Sequence, residues 1–214
     1  MPRSDIIRAA CLWGYCQLTR FLAHEPGPLL AEVGLSEESL DNPDLYVSRP
    51  AVVSLLELSA VKLDCPDFGL RLGRIQDVNI LGAVAFAMRN APDLRSALHV
   101  MARYVHFQAP MANASLEPSD IASEERMAFH APDDNRITGV QRTECVIGLF
   151  CRIADHLSGH NLRATRIMFR HAPVSTSDVY KEYFHLKPEF GAPVSAVCMN
   201  RHELALPLQT ANPA

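Results

Sequence analysis

The residues best equipped for chemistry in this chain are nine histidines and six cysteines, and their spacing decides what they can do. His156 and His160 stand four apart, which would put two imidazoles on one helical face for a metal ion. Gly159 falls between them, where it breaks a helix, and no third ligand follows in sequence reach. Two solvated histidines at a helix end are the plainer reading, and no metal site is expected. Cys11 with Cys16, and Cys145 with Cys151, lack the C-x-x-C spacing of a zinc or redox pair. Together with Cys65 and Cys198 they sit among apolar neighbours, and they read as buried free thiols.

Nucleophilic chemistry is equally poorly supported. No G-x-S-x-G turn occurs. The run Leu157-Ser158-Gly159-His160 brings a serine near a histidine, but at a helix end, where both types commonly act as caps. Gly73, Gly82 and Gly139 form no phosphate-cradling loop. The pairs Glu37-Glu38 and Glu124-Glu125 read as solvated faces or turns. With no catalytic constellation, an enzyme is not expected, and no cofactor is called for.

The segment MARYVHFQAP offers a different kind of chemistry. Tyr104, His106 and Phe107 cluster where helical periodicity gives way to strand alternation. A junction between two lobes is where small-molecule pockets tend to form. Arg142, early on a long helix, could meet an acidic ligand group. These four are the candidate ligand-binding residues. The plainer alternatives are an aromatic core position for Phe107 and a salt bridge for Arg142, while an imidazole at position 106 between apolar neighbours needs a partner.

The elements that must position these residues fall into two runs. Hydrophobic residues make up 48% of the 214, enough for a sizeable core. Residues 4 to 23 carry helical spacing from Ile7 to Leu22, with Ser4 as N-cap. Further helices are expected around LLAEVG, after Ser36, over Pro50 to Leu63, over Pro66 to Leu72 ending at Gly73, over ILGAVAFAMRN with Asn79 as cap, and from Pro92 through the stripe Leu94, Leu98, Met101, Val105. After Phe107 the texture changes to a hairpin with a Pro-Ser-Asp turn, a helix from Arg136 to Leu157, a strand at RATRIMFRH, a short helix at STSDVYKEYFHL and a closing pair of strands. The predicted fold is α+β: a helical lobe over 1–107 packed on an α/β lobe over 108–208, in which a small, mostly antiparallel sheet follows the order β-β-α-β-α-β-β. The polar tail QTANPA, 209–214, reads as the opening of a linker.

Several pieces, taken in order, resemble a known family. LGAVAFAMRNAPDLRSALHVMARYVHF is similar to a family segment through Leu81, Gly82, Ala85, Pro92, Leu94, Ala97, Leu98, Arg103 and Tyr104. The end of the chain matches it through Tyr180, Phe184, Phe190, Gly191, Pro193, Val194, Leu204, Pro207 and Leu208, and LDNPDLYVS resembles the family's entry. The family is the N-terminal regulatory domain, often labelled arabinose-binding, of AraC-type transcriptional regulators. The arabinose regulator itself senses sugar with a cupin-like barrel, which the helix-then-sheet order here does not resemble, so arabinose is not carried over as ligand.

The resemblance implies a single domain over 1–214 that senses a small-molecule effector between its lobes and forms a homodimer. It would touch DNA only through a C-terminal helix-turn-helix module absent from these residues. The net charge of −4 fits a half that need not grip phosphate. No run of about 18 apolar residues is present, so no membrane partner is expected and the place of action would be the cytoplasm. The helix from 136 to 157 is the expected dimer face through Val140, Ile147 and Cys151. A stand-alone ligand or haem sensor, with His106 or His99 as axial ligand, is the competing expectation.

Overall fold

A computed structural model describes residues 5–130, 139–159 and 162–208. The expected cap at Ser4, the helix start at Arg136, the ligand candidate His160 and the tail 209–214 lie outside the described residues.

The second half follows the anticipated order. Strands β3 (Asn113–Pro118), β4 (Glu124–His130), β5 (Arg166–Phe169), β6 (Glu189–Phe190) and β7 (Ser195–Asn200) form one sheet in the order β3-β4-β7-β5-β6. All neighbours are antiparallel except β5 and β6. The two-residue period of a strand sorts its side chains. Met127, Val197 and Ile167 align across three strands and enter the main core. The next row, Ala128, Ala196 and Met168, faces the other way into a small separate cluster with Cys198. Around that cluster Arg166 bridges Asp120 and Glu189, and Arg126 bridges Glu117.

The first half is mostly helical: α1 (Tyr15–Phe21), α2 (Pro26–Glu32), α3 (Glu38–Asp41), α4 (Arg49–Lys62), α5 (Phe68–Ile75), α6 (Ala83–Arg89) and α7 (Leu94–Tyr104). It is not wholly so. The expected helix over 4–23 is replaced at its start by strand β1 (Ile6–Arg8), which pairs antiparallel with β2 (Tyr46–Ser48), followed by a 3-10 turn, Ala9–Leu12. Helix α1 begins only after Gly14, whose φ of 85° few other residues tolerate. The apolar spacing there fits both states, and the pairing of Ile7 with Val47 decides it. Two α-helix starts carry side-chain caps. The Ser48 hydroxyl accepts from the Ala51 amide at 3.3 Å, and the Asp93 carboxylate accepts from the Ser96 amide at 2.7 Å, so Asp93 precedes its helix rather than sitting in the first turn. Asp77, not Asn79, caps the 3-10 turn Val78–Leu81 that leads into α6.

Helix α8 (Val140–Leu157) joins the halves. On α5, Gly69 and Gly73 stand four apart, one helical turn. A Cβ on Gly69 would lie 2.0 Å from the Gln141 carbonyl, and one on Gly73 2.7 Å from that of Cys145. Only glycine lets the two helices approach this closely, and Gly73 therefore sits inside α5 instead of ending it. The Gln141 side chain bridges the same contact, accepting from the Gly69 amide at 2.7 Å and donating to the Pro66 carbonyl at 2.8 Å. Glu57 of α4 caps α8 by accepting from the Gln141 amide at 2.8 Å. Two cores meet here. Leu70 of α5 joins Ile147, Phe150 and Ile153 in the main core, while Phe68 and Leu72 join Cys145 in a second core under β1 and α4. Ile147 is completely buried, so it is packed inside and not on the dimer face expected for this helix. The chain ends its described part with α9 (Ser177–Phe184) against α8, and α10 (Arg201–Leu204) against α7.

Candidate functional site

A cavity of about 440 Å³ lies where the halves meet, within the ~300–1,000 Å³ range of small-molecule sites. The first half supplies Arg49, Val52 and Val53 from α4, with Ile7 and Cys11 beside them. The second half supplies one face of α8, from Arg142 and Thr143 through Val146, Ile147 and Phe150 to Ile153. These positions recur at three- and four-residue intervals, as one stripe of a helix must. Strand ends close the space: Phe129 and His130 from β4, then Arg170, His171 and Ser195 around β5 and β7. The connection between halves adds Val105 and Gln108.

The polar groups divide into those the fold already uses and those it leaves open. Gln76 is used: its amide donates to the carbonyls of Cys11 and Trp13 at 2.9 and 3.0 Å. The Ser195 hydroxyl accepts from the Arg170 amide at 3.2 Å. Gln108 is half used. Its Oε1 accepts from Arg8 at 3.1 Å, while its Nε2 is buried without a partner among the described residues. The Nε of Arg49 is likewise buried and unpartnered among them. Burial holds His171 neutral by lowering its pKa, and its Nδ1 lies 2.8 Å from the Ala172 carbonyl, where it donates. That leaves Nε2 bare, buried and unpartnered among the described residues.

Behind the cavity wall, on the opposite side of α8, Glu144 is fully buried. Tyr180 donates to its Oε1 at 2.6 Å, and Oε2 has no partner among the described residues. Desolvation pushes the Glu144 pKa up to about 7. All six cysteines are free, and burial raises the thiol pKa of both Cys11 and Cys145 to about 11.

Of the four residues singled out from the sequence, the structure brings one to the cavity. Arg142 lines it and makes no ion pair among the described residues. Tyr104, His106 and Phe107 do cluster, with ring centroids 4.5 to 6.4 Å apart, but outside the lining. Phe107 is 53% exposed, so it is no core aromatic either. The 3-10 turn Val105–Phe107 explains the difference, since it turns Val105 and Gln108 inward in their place. His99 and His106 are both exposed and neither lines the cavity. Among the described residues no group of three or more His, Cys, Asp or Glu is placed to hold a metal ion. The Ser158 hydroxyl is engaged with the helix end, donating to the Asp155 carbonyl and accepting from the Leu162 amide. Arg49, Gln108, Arg170 and His171 were not legible as site residues, because separate elements deliver them and no spacing links them.

Residues 24–208 match the arabinose-binding domain found at the N-terminus of AraC transcription regulators. The chain belongs to this family of regulatory domains. It is 34% identical over 191 residues to the HTH-type transcriptional regulator VirS of Mycobacterium tuberculosis, in two strains, a match covering 89% of this chain and 56% of the relative. The crystal structure of the transcriptional regulator CdpR from Pseudomonas aeruginosa shares its fold, with a TM-score of 0.63 at 16% identity over 90% of this chain and 57% of that one. The chain thus spans little more than half the length of these relatives. Among the described residues no helix is long and apolar enough to cross a membrane.

Proposed function

We propose that this chain is the effector-sensing and dimerising part of an AraC-type regulator, acting as one domain over 1–214. Its helical lobe, 1–107, and α/β lobe, 108–208, receive a small molecule between them, and residues 209–214 lead toward a helix-turn-helix module that alone contacts DNA. The observation that carries this reading is the cavity itself, walled from both halves by α4 and α8. A ligand there touches elements of both cores, so it can have unequal affinity for two arrangements of the halves, which is what switching requires. The acidic balance of the chain, 24 carboxylates against 20 basic residues, suits a partner role without phosphate contacts of its own.

The test fuses the chain to a monomeric DNA-binding domain that represses a reporter only when dimerised. Repression by the fusion, altered when Val146→Phe fills the cavity, is the expected result. An unrepressed reporter, together with a monomer in analytical ultracentrifugation, would remove dimerisation from the reading. Repression unchanged by Val146→Phe across added metabolite extracts would remove the cavity from it.

A further inference from the structure

The cavity's open hydrogen-bonding capacity is lopsided. The described lining contains Arg49, Arg142 and Arg170 but no aspartate or glutamate. Glu57 and Glu144 ride on the helices that wall the cavity but lie outside its lining: Glu57 accepts from the Gln141 amide, and Glu144 accepts from Tyr180 through Oε1, with Oε2 open behind the wall. Most uncharged polar groups are also occupied, Gln76 by two carbonyls and Ser195 by the Arg170 amide. What remains is mainly donors: Nε of Arg49 and Nε2 of Gln108, both buried without a partner among the described residues, and the guanidinium of Arg142. Buried donors of this kind are costly unless something accepts from them. The Arg142 charge also reaches inward, lowering the pKa of both Cys11 and Cys145 against the upward push of burial. The rest of the wall is hydrocarbon, supplied by Val146, Ile147, Phe150 and Ile153 on one stripe of α8 and by Val52 and Val53 opposite.

We propose that the site takes an amphipathic organic anion, with its carboxylate on Arg142 assisted by Arg49 and Gln108, and its apolar body along the hydrophobic stripe of α8. This rests on the small-molecule reading above and gives that reading a ligand class. Guanidinium suits the task because it offers several fixed donors and keeps its charge when half-buried. A sugar suits the site less well, since its hydroxyls need acceptors as well as donors, and of the three buried unpartnered side-chain atoms on the described lining two donate, Arg49 Nε and Gln108 Nε2, and one accepts, His171 Nε2.

Thermal unfolding of the whole 214-residue chain tests this with matched pairs: octanoate and 1-octanol, benzoate and benzyl alcohol, indole-3-acetate and indole-3-ethanol, with L-arabinose alongside. At least one acid is expected to raise the midpoint by mass action while its alcohol does not. Arg142→Gln should weaken that acid at least tenfold, Arg142→Lys less so, and Val146→Phe should abolish its shift. Each variant's own unliganded midpoint reports whether it folds. An alcohol or L-arabinose that matches or exceeds the acids, with a shift lost in Val146→Phe but kept in Arg142→Gln, overturns the ligand class and leaves the small-molecule reading standing. If no compound, nor a broader metabolite set, gives a shift sensitive to Val146→Phe, both fall.

Discussion

The hydroxyl of Tyr180 donates to the carboxyl of Glu144 at 2.6 Å, pinning α9 to the buried side of α8. Among the described residues Glu144 has no cation in hydrogen-bond reach, and His171 approaches only to 4.0 Å. Burial therefore raises its pKa from an ordinary 4.5 to about 7. A carboxyl whose folded pKa is raised holds its proton in the fold after the unfolded chain has released it. Stability from this group is thus lost as pH rises from 4.5 toward 7. Glu144→Gln, which keeps an acceptor for Tyr180, should be more stable than the parent at pH 8 by on the order of 2–3 kcal/mol. The advantage should close toward pH 4, as read from urea midpoints at both pH values. Equal midpoint differences at the two pH values would contradict it.

Gly69 is the tightest point between α5 and α8, with the Gln141 carbonyl 2.0 Å from where a Cβ would stand. Gly69→Ala must push the helices apart and should cost about 1–3 kcal/mol or more. Gly27→Ala in α2, where the nearest atom is a flexible Glu37 oxygen at 3.9 Å, should instead be neutral or slightly stabilising. Chemical denaturation of the two variants side by side separates contact from helix propensity.

Asp93 accepts from the Ser96 amide at the start of α7 and also bridges to Pro207 near the end of the described chain. Asp93→Ala should cost about 1 kcal/mol through the lost cap. In a chain of this size that corresponds to a fall of about 2–4 °C in melting temperature. Asp93→Asn, which keeps the side-chain acceptor, should recover most of it.

The thiols should divide by access. Burial pushes the Cys11, Cys65 and Cys145 thiols up to about 11 and Cys151 to about 12. Cys16 is only partly buried, and what burial it has raises its pKa. Iodoacetamide on the native chain at pH 8 is therefore expected to modify Cys16 first, since the thiolate is the reactive form. Peptide mass spectrometry checks the order, and early labelling of Cys145 would show that the second core opens readily.

The order of the sheet was legible because strand alternation survives in isolation: Met127 and Phe129 against Ala128, or Ile167 against Met168, announce their faces two residues at a time. Helix α8 was legible for the same reason at its own period. The β1 strand was not, since Ile7 takes its partner Val47 from forty residues away and nothing local favours that pairing over a helix. Gly73 misled for a related reason. Glycine stops a helix when nothing packs there, yet here the Cys145 carbonyl needs the missing side chain. In the site, Arg142 could be singled out because it sits on a strong helix. Arg49, Gln108 and His171 could not, because their convergence is a property of the folded chain alone.

Leu70 on one flank of α5 and Phe68 with Leu72 on the other belong to different interiors, and α8 reaches both. A rod shared in this way ties the two interiors together, so any second arrangement of the halves must carry α8 with it. Arg142, Glu144 and Cys145 share one turn of α8, so a ligand of the proposed class held by Arg142 would bear on the second core through Cys145 and on α9 through Glu144. The helix behaves less like a partition than like a common axle.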